Sequence, residues 1–178
     1  MKLFSVFLGG RAKKCNTELH DVVFTCGQSI KDTYYDLLEK WFGLPDRLHI
    51  DSWVEISIID GYKITLKKEK SQSSNKLYFI NLGAYDSNKF EELHESKFMV
   101  GVEENTIKNK AKKSLLVGMH QVHTDDLYDV DDCIEIIKVS NLYVHLEKTD
   151  KVEKLKFNNG YFPIPRKIIN EYKSKSNQ

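Results

Sequence analysis

The chain repeats itself. Displaced by 74 residues, Lys2-Leu3-Phe4-Ser5-Val6-Phe7-Leu8-Gly9-Gly10 falls on Lys76-Leu77-Tyr78-Phe79-Ile80-Asn81-Leu82-Gly83-Ala84, and Glu18-Leu19-His20-Asp21 falls on Glu92-Leu93-His94-Glu95. Residues 2–27 and 76–101 share nine identities over 26 ungapped positions, where average composition gives roughly one or two by chance. A fixed offset of this kind marks duplication, so any fold for the first half must also serve the second. The same displacement pairs His49-Ile50-Asp51 with His123-Thr124-Asp125, which puts the length difference of six residues after that point, where Leu66-Lys67-Lys68 best matches Leu146-Glu147-Lys148.

Each copy reads as β-β-α-β-β. A strand runs into Gly9-Gly10, and a β-branched, apolar segment over 21–25 is the second strand. Ser29 followed by Asp32 opens a helix as a capping box. Ile30, Tyr34, Leu37, Leu38 and Trp41 continue it at helical spacing and Gly43 stops it. The second helix is weaker, with Ile107, Ala111 and Leu115 on one stripe and Gly118 at its end. Alternation over 50–59 and 62–66, broken at Asp60-Gly61, predicts a hairpin. Residues 155–164, turning at Asn158-Asn159-Gly160, predict another, and Pro165 opens a short basic helix. The expected fold is therefore α+β, a tandem duplication of a ββαββ module with antiparallel sheets, plus a C-terminal hairpin and short helix. Its divisions are 1–68 for the first copy, 69–75 for a Lys-, Ser- and Gln-rich linker, 76–148 for the second copy and 149–178 for the extension.

Twenty-seven Lys and Arg against 26 Asp and Glu give a net charge of +1, which disfavours a nucleic-acid partner and an accessory role tied to one. Cys15, Cys26 and Cys133 are odd in number and lack Cys-x-x-Cys spacing, which reads as reduced thiols rather than a disulfide framework or a thiolate zinc site. The apolar start is short and runs into Gly9-Gly10-Arg11, so it is expected to be a strand and not a signal peptide. No apolar run reaches the ~18 residues of a membrane helix, and the expected location is the cytoplasm.

The sharpest chemical motif is Glu-x-His, present as Glu18, His20 and again as Glu92, His94, each beside a loop of the same length. Residues two apart on a strand share a face. Each pair can thus supply an imidazole held by a carboxylate, as a base or a ligand, or simply a hydrogen-bonded histidine at the edge of a core. His49-x-Asp51 and His123-x-Asp125 add a second imidazole and carboxylate per copy, and the combined set suits zinc, iron or manganese if the strands are neighbours. The plainer alternative makes His49, Asp51, Trp53 and Glu55 the solvated face of a strand whose Ile50, Val54 and Ile56 face the core. Asp125, Asp126, Asp129, Asp131, Asp132 and Glu135 crowd the second copy without the turn glycine of a calcium loop. Gly9-Gly10 leads into a loop and not a helix, which argues against a dinucleotide cradle. No Walker, Gly-x-Ser-x-Gly or His-Glu-x-x-His motif occurs.

Leu8-Gly9-Gly10-Arg11, Glu18-Leu19-His20-Asp21-Val22-Val23-Phe24, His49-Ile50-Asp51-Ser52-Trp53 and residues 126–133 together resemble domain-of-unknown-function family 1543. The resemblance spans nearly the whole chain. It implies a bacterial protein carrying two copies of one module, and it implies no reaction and no catalytic residues. On this reading the chain is a non-enzymatic binding module for a small molecule or a protein, with Arg11, Glu18, His20, Glu92 and His94 as candidate binding residues. The alternative is a metal-dependent hydrolase or isomerase built on the paired motifs, with His49, Asp51, His123 and Asp125 as further ligands. No cofactor is specified.

Overall fold

A computed structural model describes residues 1–86, 88–114 and 130–176. The first copy begins with β1 (Lys2–Gly10) and β2 (Leu19–Gly27), antiparallel in register from Lys2↔Gly27 to Gly10↔Leu19. Ser29 caps as its sequence predicts, its N–H donating to Asp32 Oδ2 at 2.8 Å, but the first turn, Ile30–Thr33, is a 3-10 turn. The α-helix proper, α1, covers Tyr34–Lys40. It is tied to β2 through Asp36, which accepts from Thr25 Oγ1 and Lys40 Nζ, both at 2.6 Å. The strand β3 (His49–Glu55) returns antiparallel beside β1. The hairpin β4 (Ile58–Ile59) and β5 (Tyr62–Lys67) turns at Asp60-Gly61, both at positive φ as a tight hairpin requires.

The second copy repeats this with β6 (Lys76–Ala84), β7 (Leu93–Gly101), α2 (Glu104–Ser114), β8 (Val130–Glu135), β9 (Lys138–Val139) and β10 (Leu142–Lys148). The stripe Ile107 and Ala111 is buried as expected, whereas Leu115 and Gly118 lie outside the described residues. The chain closes with β11 (Asn158–Pro163) and α3 (Arg166–Ser176).

Three antiparallel sheets result: β11-β3-β1-β2, β7-β6-β8, and β4-β5-β10-β9. The third is built from both copies. Each module sends its terminal hairpin out of its own sheet, and β5 pairs with β10 from Tyr143↔Lys67 to Lys148↔Tyr62. The inner faces of the other two sheets share one core, in which Leu3, Val54, Ile56 and Ile64 of the first copy meet Leu77, Phe79, Phe98 and Val144 of the second. Each helix covers the outer face of its own sheet. Phe4, Val6 and Leu8 lie under α1 and α3, and Tyr78, Ile80 and Leu82 lie under α2.

Two expectations change. The predicted hairpin over 155–164 does not fold on itself. Instead β11 adds to the edge of β3, because Leu155 packs toward the inner core while Ile164 and Ile169 belong to the helix-side core, so the segment crosses from one face of the sheet to the other. The second difference concerns the six extra residues. β3 and β8 align at a displacement of 80, since Phe4↔Glu55 and Leu8↔Ile50 correspond to Tyr78↔Glu135 and Leu82↔Val130. The ion pairs Lys2–Glu55 and Lys76–Glu135, both at 2.7 Å, repeat at that alignment. The extra length therefore falls between α2 and β8. At that alignment position 51 corresponds to 131, and His123 and Asp125 lie outside the described residues.

Candidate functional site

The first-copy motifs converge. In both β3 and β8 the ladder slips by one residue at the same place: Phe7↔Ser52 is followed by Leu8↔Ile50, and Asn81↔Asp132 by Leu82↔Val130. The residues passed over are Asp51 and Asp131. A bulge turns its extra residue off the simple alternation, and here it brings the Asp51 carboxylate beside His49. The pair stands opposite Gly9, where a Cβ would come within 2.6 Å of His49 Nε2 and closer still to Asp51 Oδ2. Glycine is thus required at that position by close approach, a stronger reason than its place at a strand end.

His49 is 3% exposed. This overturns its reading as part of a solvated face, and the bulge together with the cover from β11 is the reason. The Tyr161 ring stands 4.5 Å from its imidazole, centroid to centroid. Its Nδ1 lies 3.2 Å from the Arg47 carbonyl, which can only accept, so Nδ1 carries the hydrogen. Nε2 faces Asp51 Oδ1 at 3.1 Å and Glu18 Oε1 at 3.3 Å. Three oxygens of the protein therefore surround the two ring nitrogens.

His20 completes the group from β2, with Nε2 3.3 Å from Asp51 Oδ2 and 3.9 Å from Glu18 Oε2. Its side chain is 41% exposed, and its ring stacks on Phe7 at 5.1 Å. The approach of His20 to Asp51 is ionic in distance but not in hydrogen-bond alignment, for Asp51 Oδ2 is buried without a hydrogen-bond partner.

A cavity of about 300 Å³ opens on this cluster, with Arg11, Glu18, Arg47, His49, Tyr161 and Arg166 in its wall. Arg166 donates to Asp46 at 2.6 Å, and Lys173 joins the same carboxylate. Lys173 first, with Arg166, holds the Asp46 carboxyl below its usual range. Tyr35 donates to Glu171 at 2.8 Å, and these contacts together fasten α3 over the cavity. Arg11 makes one long contact, 3.4 Å to the Asn16 carbonyl.

In the second copy His94 Nε2 stands 3.6 Å from Glu92, so the Glu-x-His pair is repeated in space as well as in sequence. His123 and Asp125 lie outside the described residues. Position 131, at the bulge, is again an aspartate, but the residue two before it in sequence is Asp129 where the first copy has His49. Among the described residues no three His, Cys, Asp or Glu side chains are arranged to hold a metal ion. Glu18, His20, His49 and Asp51 contact one another instead. The thiols stand apart from this cluster: Cys15 Sγ lies 3.1 Å from the Ala12 carbonyl, and burial pushes the Cys133 thiol up.

Arg11 and Glu18 were legible as candidates in the sequence; Arg47, Tyr161 and Arg166 were not. Arg47 carried a weak signal, two residues before His49. Tyr161 and Arg166 reach the site only through the β11–β3 pairing and the Asp46 clamp. No helix of the described residues is long and apolar enough to cross a membrane.

Comparison with curated proteins gives no match. Among solved structures, a protein Il1583 from Idiomarina loihiensis is similar with a TM-score of 0.73 and 32% identity, over 93% of this chain and 98% of that one. The extent of that match takes in both copies. The sequence also matches the family described as Domain of Unknown Function (DUF1543) over residues 15–66 and 89–139, two segments that carry the two copies. The chain therefore belongs to the DUF1543 family, as a tandem pair of its domain.

Proposed function

We propose that this protein is a small-molecule-binding module that takes a small organic anion, a carboxylate or phosphate ester, in the cavity beside His49. The observation that carries the reading is the pair Arg11 and Arg47 at a cavity floored by the buried His49. Arg166 is paired with Asp46, a carboxylate it shares with Lys173, whereas the Arg47 guanidinium has no protein partner among the described residues. Guanidinium groups bind carboxylate and phosphate oxygens in paired, charge-assisted hydrogen bonds. The volume is at the small end of the range for metabolite sites. Binding is favoured over catalysis because both nitrogens of His49 lie against oxygens of the protein itself, Nδ1 at the Arg47 carbonyl and Nε2 at Asp51 and Glu18.

Calorimetry and thermal shift of the full chain against di- and tricarboxylates, phosphate esters and their uncharged amides test this. At least one anion is expected to bind, and Arg11→Ala and Arg47→Ala are each expected to weaken it about tenfold or more, as loss of a charged partner does. Binding that ignores both substitutions would overturn the reading. So would stabilisation by a divalent metal alone, which would restore the hydrolase or isomerase alternative.

A further inference from the structure

The two sheets pack inner face to inner face, and the side chains between them change along the strands. Toward the shared third sheet the gap is filled by Leu3, Ile56, Leu77 and Val100. Toward the Gly9 end the inward positions become small or polar, with Ser5, Ser52 and Ser96 among them, and two adjoining cavities open. One, of about 400 Å³, is walled by Phe7, Trp53, Phe79, Phe98, Leu155 and Phe157. The other, of about 580 Å³, is walled by His20, Asp21, Asn81, His94 and Asp132 among others. Phe7, Val22, Phe79 and Ser96 line both, so the two form one cleft with an aromatic end and an acidic end. Phe7 and Asn81, His20 and His94, and Val22 and Ser96 are repeat equivalents, which makes this cleft the junction of the duplicated surfaces.

Among the described residues no Lys or Arg lines the acidic end, whose basic side chains are the imidazoles of His20 and His94. Lys97, which borders the aromatic end, sends its ammonium to Ser114 Oγ on the helix side, at 3.4 Å. Residues 115–129 contain neither Lys nor Arg. Burial first, and the charge of Asp132 after it, push the Asp21 carboxyl up from its ordinary value, as two carboxylates facing one cleft without a cation would do.

We infer that the cleft between the two copies binds a small organic cation with an aromatic or aliphatic body, its ammonium between Asp21 and Asp132 and its body against Phe7, Phe79 and Phe157. Aromatic faces favour such a ligand twice, through apolar contact and through attraction of the cation to the ring face. This site takes the opposite charge from the cavity beside His49, so the two readings stand or fall separately.

The test uses the full chain with 2-phenylethylamine and tryptamine as probes, and with 3-phenylpropionate and 2-phenylethanol as anionic and neutral counterparts, read by calorimetry. The amines are expected to bind at least about tenfold more tightly than either counterpart. Asp132→Asn, at an exposed position, is expected to remove about that factor. Phe157→Ala, also exposed, should weaken the amines severalfold, while Arg47→Ala should leave them unchanged. Counterparts that bind as well as the amines, an Asp132→Asn protein with wild-type affinity, or no amine binding in the millimolar range would each overturn the inference. Asp21→Asn gives the same reading from the other wall should Asp132→Asn fail to fold.

Discussion

The two halves of the molecule agree in scaffold and differ in chemistry. Both fold β-β-α-β-β-β, both carry the slip in the ladder opposite Leu8 or Leu82, and both place an aspartate there. Only the first has a histidine two residues before that aspartate, and among the described residues only the first has its outer strand covered, by β11, whereas β8 is the last strand of its sheet. The difference separates what duplication preserves from what it leaves free. Strand pairing and core positions must survive in both halves, since the halves share a core. The cavity beside His49 belongs to the copy whose outer strand the C-terminal segment covers.

Cutting the copies apart would test that account most severely. A chain ending after Lys68 loses the partner of β5 and also Leu77, Phe79, Phe98, Val100, Ile136, Val139 and Val144 from the shared core. At about 1.5–3 kcal/mol for each buried side chain, that loss matches or exceeds the whole stability of an ordinary domain, about 5–15 kcal/mol. We expect the fragment to show no cooperative melting by circular dichroism, or to dimerise through β5 when run on a sizing column. A monomeric fragment melting where the full chain melts would mean the halves are independent.

The histidines sharpen the comparison at the level of one side chain. His49→Ala removes a buried ring that hydrogen-bonds the Arg47 carbonyl and lies against Asp51, and should cost about 1–3 kcal/mol in urea denaturation, the usual range for such a group. His20→Ala and His94→Ala remove side chains 41% and 46% exposed and should each stay within about 0.5 kcal/mol of wild type. If His94→Ala proved as costly as His49→Ala, the second copy would hold a structural centre equal to the first, and the asymmetry of the halves would be only chemical.

The sequence made the duplication, the first helix and the Glu-x-His pairs legible because each is local: a fixed offset, a capping box with helical spacing, two residues on one strand face. It hid the features that depend on where strands end up. The period-two rule put His49 and Asp51 with Trp53 on a solvated face, since nothing in His49-Ile50-Asp51 announces a bulge. His123-x-Asp125 has the spacing of His49-x-Asp51, whereas the ladder of β8 against β6 puts Asp131 at the strand position of Asp51. The β5–β10 pairing was equally invisible, because each hairpin satisfies its own alternation and says nothing of what lies beyond its edge.

The smallest effect we predict concerns Asp21, at the edge of the cleft between the halves. Its carboxyl is raised above the ordinary 3.8, chiefly by burial, against a backbone hydrogen bond from Val22 that lowers it and with a further push from Asp132 across the cleft. A carboxyl raised on folding binds its proton more tightly in the folded chain. Between the unfolded and folded values the native state then holds more protons, and stability falls as pH rises through that window. Asp21→Asn keeps an acceptor for the Val22 N–H, at 2.8 Å in the wild type, and removes the charge. Its melting temperature should equal that of wild type near about pH 3, where Asp21 is protonated in both states, and exceed it slightly near about pH 7. An Asp21→Asn protein less stable than wild type at neutral pH would show that the charge is already compensated within the chain, and the acidic end of the cleft would then have no need of a cation.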